Sequence, residues 1–308
     1  MLNRQKIILK ILGEWKTSRT RLELMKLSFL LAQEGRSEQL KSFYEYVPYK
    51  HGPYSFGLYH ELSSLSKEGL IAFDGDENIC LTSKGAKISR QALEPRLARD
   101  LELLFQNYSE LKQENLIDLV YQKYPWFTGR SIYPKKRKAK KVVPEHANYT
   151  IGYQSLQVDG LLNRLLERGI TKVIDTRANP VSRRYGFHKS SLAKLCGLLD
   201  IRYEHWPEMG IPSSWRQDLS TDNEYRTLFK KYESEILESQ KESLARLAKV
   251  MQADYAALLC RETEKQYCHR TSLARHLARL NNLEVEDITP ARDQSDEPLL
   301  KFNKILLA

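Results

Sequence analysis

At 308 residues, with 41% hydrophobic and 29% charged side chains, the chain is long enough for two domains and too balanced in composition to be disordered throughout. No window approaches the roughly 18 consecutive apolar residues of a membrane span, and no repeat of fixed period is visible. The net charge is +10, and half of that excess lies in residues 135–148, which hold six basic side chains and one acidic.

The stretch MLNRQKIILKILGEWKTSRT breaks its apolar run with Lys10, Glu14 and Lys16, so it lacks the apolar centre of a signal peptide and a cytoplasmic protein is expected. Four cysteines (Cys80, Cys196, Cys260 and Cys268) make no disulfide framework, and reduced thiols follow from that compartment. Cys80 and Cys196 read as small core residues.

KIILKILGEW and LELMKLSFLLAQEG repeat apolar residues at spacings of three and four and are expected to be helices. A further helix is expected from Gly52-Pro53, with Leu58, Leu62 and Leu65 on one face and Gly69 at its end. LIAF and ICLT then alternate around Asp74-Gly75-Asp76 as a hairpin, and two more helices lie around LARDLELLFQNYSELK and ENLIDLVYQKYP.

On YKHGPYSFGLYHELSSLSKEGLI and LIDLVYQKYPWF, residues 1–134 resemble the YwgA-like and Panacea-like winged-helix families of bacteria and phages. That resemblance implies a helix for a groove of DNA and a wing for its backbone. The helix offers Ser55, His60, Ser64 and Lys67, a sparsely basic face, so the alternative is protein interaction or dimerisation.

KKRKAKKVVP follows, carrying Lys135, Lys136, Arg137, Lys138, Lys140 and Lys141. A run of like charge is usually solvated, so it is either a soluble tether or a clamp on nucleic-acid phosphates, each neutralised phosphate releasing a counterion.

From residue 149 the pattern alternates: TIGYQS (strand), VDGLLNRLLERG (helix), ITKVIDTRA (strand), SLAKLCGLLD (helix), IRYEHWPEMG (strand), one long helix from NEYRTLF to AKVMQ, DYAALLC (strand), TSLARHLARLNN (helix) and LEVEDIT. The expected fold class is therefore an α/β carboxyl-terminal domain with a mainly parallel sheet flanked by helices, preceded by a mostly α winged-helix domain. The expected boundaries are 1–134, a basic linker at 135–148, and 149–308.

Ligands of such sheets sit beyond the carboxyl ends of the strands. Those ends carry Tyr153, Asp175 with Arg177, Glu208, and Cys260 with Glu262, while ANPVSRRYGFHKSSL adds Arg183, Arg184 and Phe187. Unpaired charge is rarely buried, so these residues mark either a pocket or a structural ion pair of Asp175 with Arg177 or Arg184. TIGYQS, VIDTRANPVSRRYGF, WPEMG and LLCRETEKQYCHR resemble, in order and position, the bacterial and archaeal domain-of-unknown-function family numbered 488, over residues 149–290. The resemblance implies a pocket at the strand ends. Where many relatives carry histidine after TIG, this chain has Tyr153.

Cys268, His269 and Arg270 open a helix whose expected buried face is Leu273, Leu277 and Leu280. The unpaired N–H groups and positive dipole of a helix start favour a thiolate or an anion. Three uses stay open: a phosphate site of Arg177, Arg183, Arg184, Arg270 and the helix start; a Cys268 nucleophile beside His269; or a metal site of Cys260, Cys268 and His269, although C-x7-C-H matches no common zinc spacing. No cofactor is required by the sequence. Asp175 and Glu208 are the candidate acid and base, with Glu262 in reserve, and Tyr153, Phe187 and Trp206 are candidates to stack on a base.

The function expected is a hydrolase acting on nucleic acid or a nucleotide, cleaving a phosphodiester or N-glycosidic bond and targeted by the winged helix. The rivals are a DNA-binding regulator that senses a phosphorylated ligand, and an interaction module of a defence or toxin–antitoxin system. The expected partners are nucleic acid, DNA before RNA, or a nucleotide; no membrane is expected, and a homodimer is allowed.

Overall fold

The structure is a computed structural model that describes residues 1–290 except 16–18, 76, 141, 145–147, 218 and 283. The described chain forms two compact units that part between residues 141 and 142. Among the described residues no helix is long and apolar enough to cross a membrane.

The first unit runs α1 (Asn3–Gly13), β1 (Arg19–Thr20), α2 (Arg21–Glu34), β2 (Val47–Tyr49), β3 (Gly52–Tyr54), α3 (Phe56–Lys67), β4 (Ile71–Asp74), β5 (Asn78–Leu81), α4 (Ser83–Ser89), α5 (Pro95–Tyr108) and α6 (Gln113–Lys123). Thr20 and Glu23 cap α2 reciprocally, and α3 buries Leu58, Leu62 and Leu65 as their spacing requires. The chain then turns at Gly69 (φ +69°) into the antiparallel pair β4–β5, with Ile71 opposite Leu81, and β1 extends that sheet along β5. Asp76 of the expected turn lies outside the described residues.

Two details depart from the sequence reading. Gly52-Pro53 belongs to the short pair β2–β3, not to a helix start; α3 begins after Ser55, whose hydroxyl accepts from the Leu58 N–H. Ser55 is accordingly fully buried and is not offered to solvent.

The basic run is anchored on the first unit through residue 139. Lys136 pairs with Asp118 at 2.5 Å, and Arg137 Nε donates to the Ser131 carbonyl at 2.6 Å. Thr128 Oγ1 accepts from the backbone N–H groups of Lys138 and Ala139, at 2.8 and 3.0 Å. The side chains of Lys135, Lys136, Arg137, Lys138 and Lys140 are exposed, and Lys141 lies outside the described residues.

The second unit runs β6 (Asn148–Gly152), α7 (Val158–Glu167), β7 (Lys172–Asp175), α8 (Lys189–Gly197), β8 (Arg202–His205), α9 (Asp222–Lys231), α10 (Lys241–Ala253), β9 (Ala256–Cys260), α11 (His269–Asn281) and β10 (Val285–Asp287). All five strands are parallel, in the order β10-β6-β9-β7-β8. β6, β7 and β9 are buried along their whole length, as strands covered on both faces must be.

The expected single long helix is interrupted. A wide turn at Tyr232–Leu237 separates α9 from α10 and buries both of its end residues, and the Tyr232 hydroxyl donates to the Met209 carbonyl at 2.8 Å. In α11, Leu273 and Leu277 join the core with Ile174, Leu247 and Leu258, whereas Leu280 is 57% exposed on the last turn.

Candidate functional site

The strand order decides where chemistry gathers. β7 follows β6 in the chain, yet β9 lies between them, so the carboxyl end of β9 opens at the point where the sheet's connections diverge. The loop leaving β9 crosses tightly over the end of β6, because a Cβ on Gly152 would collide with the Glu262 carbonyl oxygen. Arg270, itself fully buried, ties that loop down by donating to the Glu262 carbonyl and, at 2.9 Å, to Thr289 Oγ1.

Here Cys260, Glu262, Cys268 and His269 bring a donor atom each within 4.8 Å of one another. The thiols of Cys260 and Cys268 donate to the same oxygen, Glu262 Oε2, at 2.9 and 3.2 Å. The other oxygen, Oε1, accepts from Arg216 Nη1 at 2.5 Å. His269 Nε2 lies 3.1 Å from the Thr176 carbonyl; a carbonyl only accepts, so Nε2 carries the proton and Nδ1 has the lone pair. Nδ1 accepts from Arg216 Nη2 at 2.9 Å and sits 3.5 Å from Cys260 Sγ.

Adjacent residues rarely converge, yet Cys268 and His269 do. Cys268 is the extended cap residue of α11 (φ −125°, ψ 129°) and His269 its first helical residue, so the change of backbone direction brings both side chains to one side. Burial pushes the Cys268 thiol up, so it stays protonated despite the helix start. Burial acts on Glu262 in the same upward sense, but the Arg216 charge and the Cys260 hydrogen bond outweigh it and hold the carboxyl at about 2. The Glu262 and Arg216 side chains are 21% and 24% exposed, while both cysteines are buried. The approach from solvent therefore passes the charged pair first.

Beside this cluster lies a second, sealed one. Asp175 is fully buried and accepts four hydrogen bonds: from Arg177 N (3.1 Å), Nε (2.8 Å) and Nη2 (2.5 Å), and from the Tyr203 hydroxyl. Arg177 is spent there and on the Tyr153 hydroxyl (2.7 Å) and the Phe187 carbonyl (3.0 Å). Tyr153 and Phe187 stack on each other at 4.3 Å, both buried, with the Arg184 guanidinium 4.7 Å from the Phe187 ring. Arg184 also donates to the carbonyls of Gln154 and Leu156, whereas Arg183 is exposed.

The structure thus brings together Cys260, Glu262, Cys268 and His269, and separately Tyr153, Asp175, Arg177, Arg184 and Phe187. Glu208 joins neither through any described hydrogen bond or ion pair: it meets Arg246 at 3.3 Å, and Arg246 lies over Trp206 at 4.8 Å. Arg216, Thr176 and Tyr203 are absent from the sequence-derived set. Arg216 comes from a short turn, Ser213–Arg216, whose polar sequence carries no signal of its own.

Residues 157–277, from the approach to α7 into α11, match the family model described as Domain of unknown function DUF488. No curated protein and no solved structure matches the chain.

Proposed function

We propose that the protein is a hydrolase acting on nucleic acid or a nucleotide, with its reaction centre at Cys260, Glu262, Cys268 and His269 and its first unit as the nucleic-acid-binding part. The observation that carries this reading is the Glu262 carboxylate: it is reachable from solvent, held ionised at about 2, and set at the open edge of the sheet beside an imidazole whose lone pair faces Arg216. A carboxyl that low is a poor proton carrier at neutral pH, and what it does well is stabilise positive charge. His269 Nδ1 is the group able to accept a proton, and Arg216 orients both. Asp175, with its acceptor positions taken, serves to position the neighbouring loop.

Delivery to this centre is assigned to the first unit. α3 followed by the β4–β5 hairpin supports the winged-helix reading, with Arg21 lying over exposed Tyr59 on the helix and exposed Phe73 on the hairpin, at 5.6 and 5.3 Å. The basic run supports it further, since its backbone is pinned by Thr128 and Ser131 while its cationic side chains face outward. Ordered cations lose less freedom on meeting phosphates than a floating tether does.

Two measurements test this reading. Glu262→Gln keeps the shape of the side chain and is expected to slow turnover of single- or double-stranded oligonucleotides by about a hundredfold or more; unimpaired turnover would move the centre elsewhere. Replacing Lys135, Lys136, Arg137, Lys138 and Lys140 with glutamine should flatten the dependence of log affinity on log salt by roughly 0.9 for each duplex phosphate that is no longer neutralised. An unchanged slope removes the basic run from the account.

A further inference from the structure

We infer that Cys260, Cys268, His269 and Glu262 form a binding site for a zinc-class divalent ion, three of them as lasting ligands and Glu262 as the closing fourth. The inference rests on the same cluster being the reaction centre and names the cofactor that centre would take; with the ion bound, His269 Nδ1 is a ligand and no longer the proton acceptor.

Geometry is the first argument. With bonds of about 2.0–2.3 Å, the donors around a tetrahedral zinc lie roughly 3.3–3.8 Å apart. The donors here already stand at 2.9 Å (Cys260 Sγ to Glu262 Oε2), 3.2 Å (Cys268 Sγ to Glu262 Oε2) and 3.5 Å (Cys260 Sγ to His269 Nδ1), with no pair of the four beyond 4.8 Å. Small side-chain adjustments suffice, and the backbone at the end of β9 and the start of α11 need not move.

Outer partners are the second argument. The Thr176 carbonyl fixes the proton on His269 Nε2 and leaves Nδ1 as the ligating nitrogen, the arrangement in which a metal-binding imidazole is held by a backbone oxygen. Arg216 does the same for the carboxylate, binding Oε1 so that Oε2 is the oxygen turned to the sulfurs. The contact between Arg216 Nη2 and His269 Nδ1 and the two thiol-to-carboxylate hydrogen bonds open as the ion enters.

Ligand chemistry is the third. Two thiolates and an imidazole favour zinc-class ions over magnesium or calcium, which prefer oxygen ligands throughout. The common zinc spacings fail to find the site because the carboxylate two residues after Cys260 completes it.

The test uses the full chain, reduced with a phosphine and titrated with cobalt(II) and then zinc(II). The expected result is one cobalt ion per chain with thiolate-to-cobalt charge-transfer absorption in the near ultraviolet and tetrahedral d–d bands in the visible. Zinc should bleach both. Cys268→Ser should lower the charge-transfer intensity by about half, and His269→Gln should weaken binding by at least the roughly 10–100-fold that loss of an outer partner costs. Glu262→Gln, which keeps both sulfurs and the imidazole, should retain charge transfer and alter the d–d bands, which guards against a variant that merely fails to fold. Wild-type protein without these bands, or bands unchanged in Cys268→Ser, overturns the inference. Because the readout needs no nucleic acid, cobalt binding with no oligonucleotide turnover would sink the functional reading alone. Turnover by metal-free protein with no cobalt bands would sink the metal site alone.

Discussion

Asp175→Asn is expected to destabilise the second unit by about 3–5 kcal/mol, the usual cost of breaking a buried ion pair by removing one partner. Asp175 is wholly buried and Arg177 is 7% exposed, so removal of the carboxylate charge strands a guanidinium where water cannot reach it. The neighbourhood resists a compromise: Oδ1 now accepts from Arg177 N and Nε and Oδ2 from Arg177 Nη2 and the Tyr203 hydroxyl, so the asparagine amide turns its hydrogens on an Arg177 donor in either orientation. Against a total stability of some 5–15 kcal/mol for a domain, the loss is large. Urea unfolding followed by circular dichroism reads it as a lower midpoint at constant slope. The double variant Asp175→Asn with Arg177→Met is expected to recover part of the loss, because it takes away the stranded charge as well. A wild-type midpoint in Asp175→Asn would mean that the carboxylate is not a strut, and would restore it as a candidate reacting group.

The parallel sheet is legible in the sequence because β6, β7 and β9 are covered on both faces and so appear as the apolar runs TIG, VID and AALLC between polar turns. Strand order leaves no such trace. Nothing local in AALLC says that it lies between β6 and β7, and that insertion is what sets Cys260 close to Thr176 and the end of β6. The pairing of Asp175 with Arg177 is readable, as one of two options, because two residues in extended chain suffice to bring it about. Burial at the other candidates is not. A buried Arg270 and an exposed Arg183 look alike in a sequence, and they differ only because the β9 loop needs a guanidinium beneath its carbonyls. Arg216 is the clearest loss: its partners lie 46 and 53 residues away, and PSSWR has no periodicity to place it. Cys268 shows a rule applied without its competitor, since the helix dipole favours a thiolate but full burial opposes charge more strongly.

In the first unit the largest pH effect is expected from Lys26. Its side chain rises from α2 into the core, 1% exposed, and its amine donates to two backbone carbonyls, those of His51 and, at 3.1 Å, Pro53. Gly52 makes that turn possible: it sits at φ +87°, where a Cβ would stand 2.6 Å from the Tyr121 ring. Two carbonyls match the two hydrogens of a neutral amine, and burial lowers the Lys26 pKa from 10.5 to about 7. Between those values the unfolded chain binds a proton that the folded chain does not, so stability rises with pH across that window. The slope is at most about 1.4 kcal/mol per pH unit, and over the window the gain is at most some 4–5 kcal/mol. Below about pH 7 both states are protonated, the slope from this group ends, and the folded unit carries a buried charge. Lys26→Met removes the titration while roughly keeping the volume, and it leaves two carbonyls without their donor, at a cost of about 1–3 kcal/mol each. The expected result is therefore a variant less stable than wild type at pH 9.5, with a much smaller gap at pH 7. Subtracting the two proteins cancels the thiols and tyrosines that titrate in the same range. If the wild-type and Lys26→Met unfolding midpoints keep a constant separation from pH 6.5 to 9.5, the amine is charged throughout and the two carbonyls are binding an ammonium.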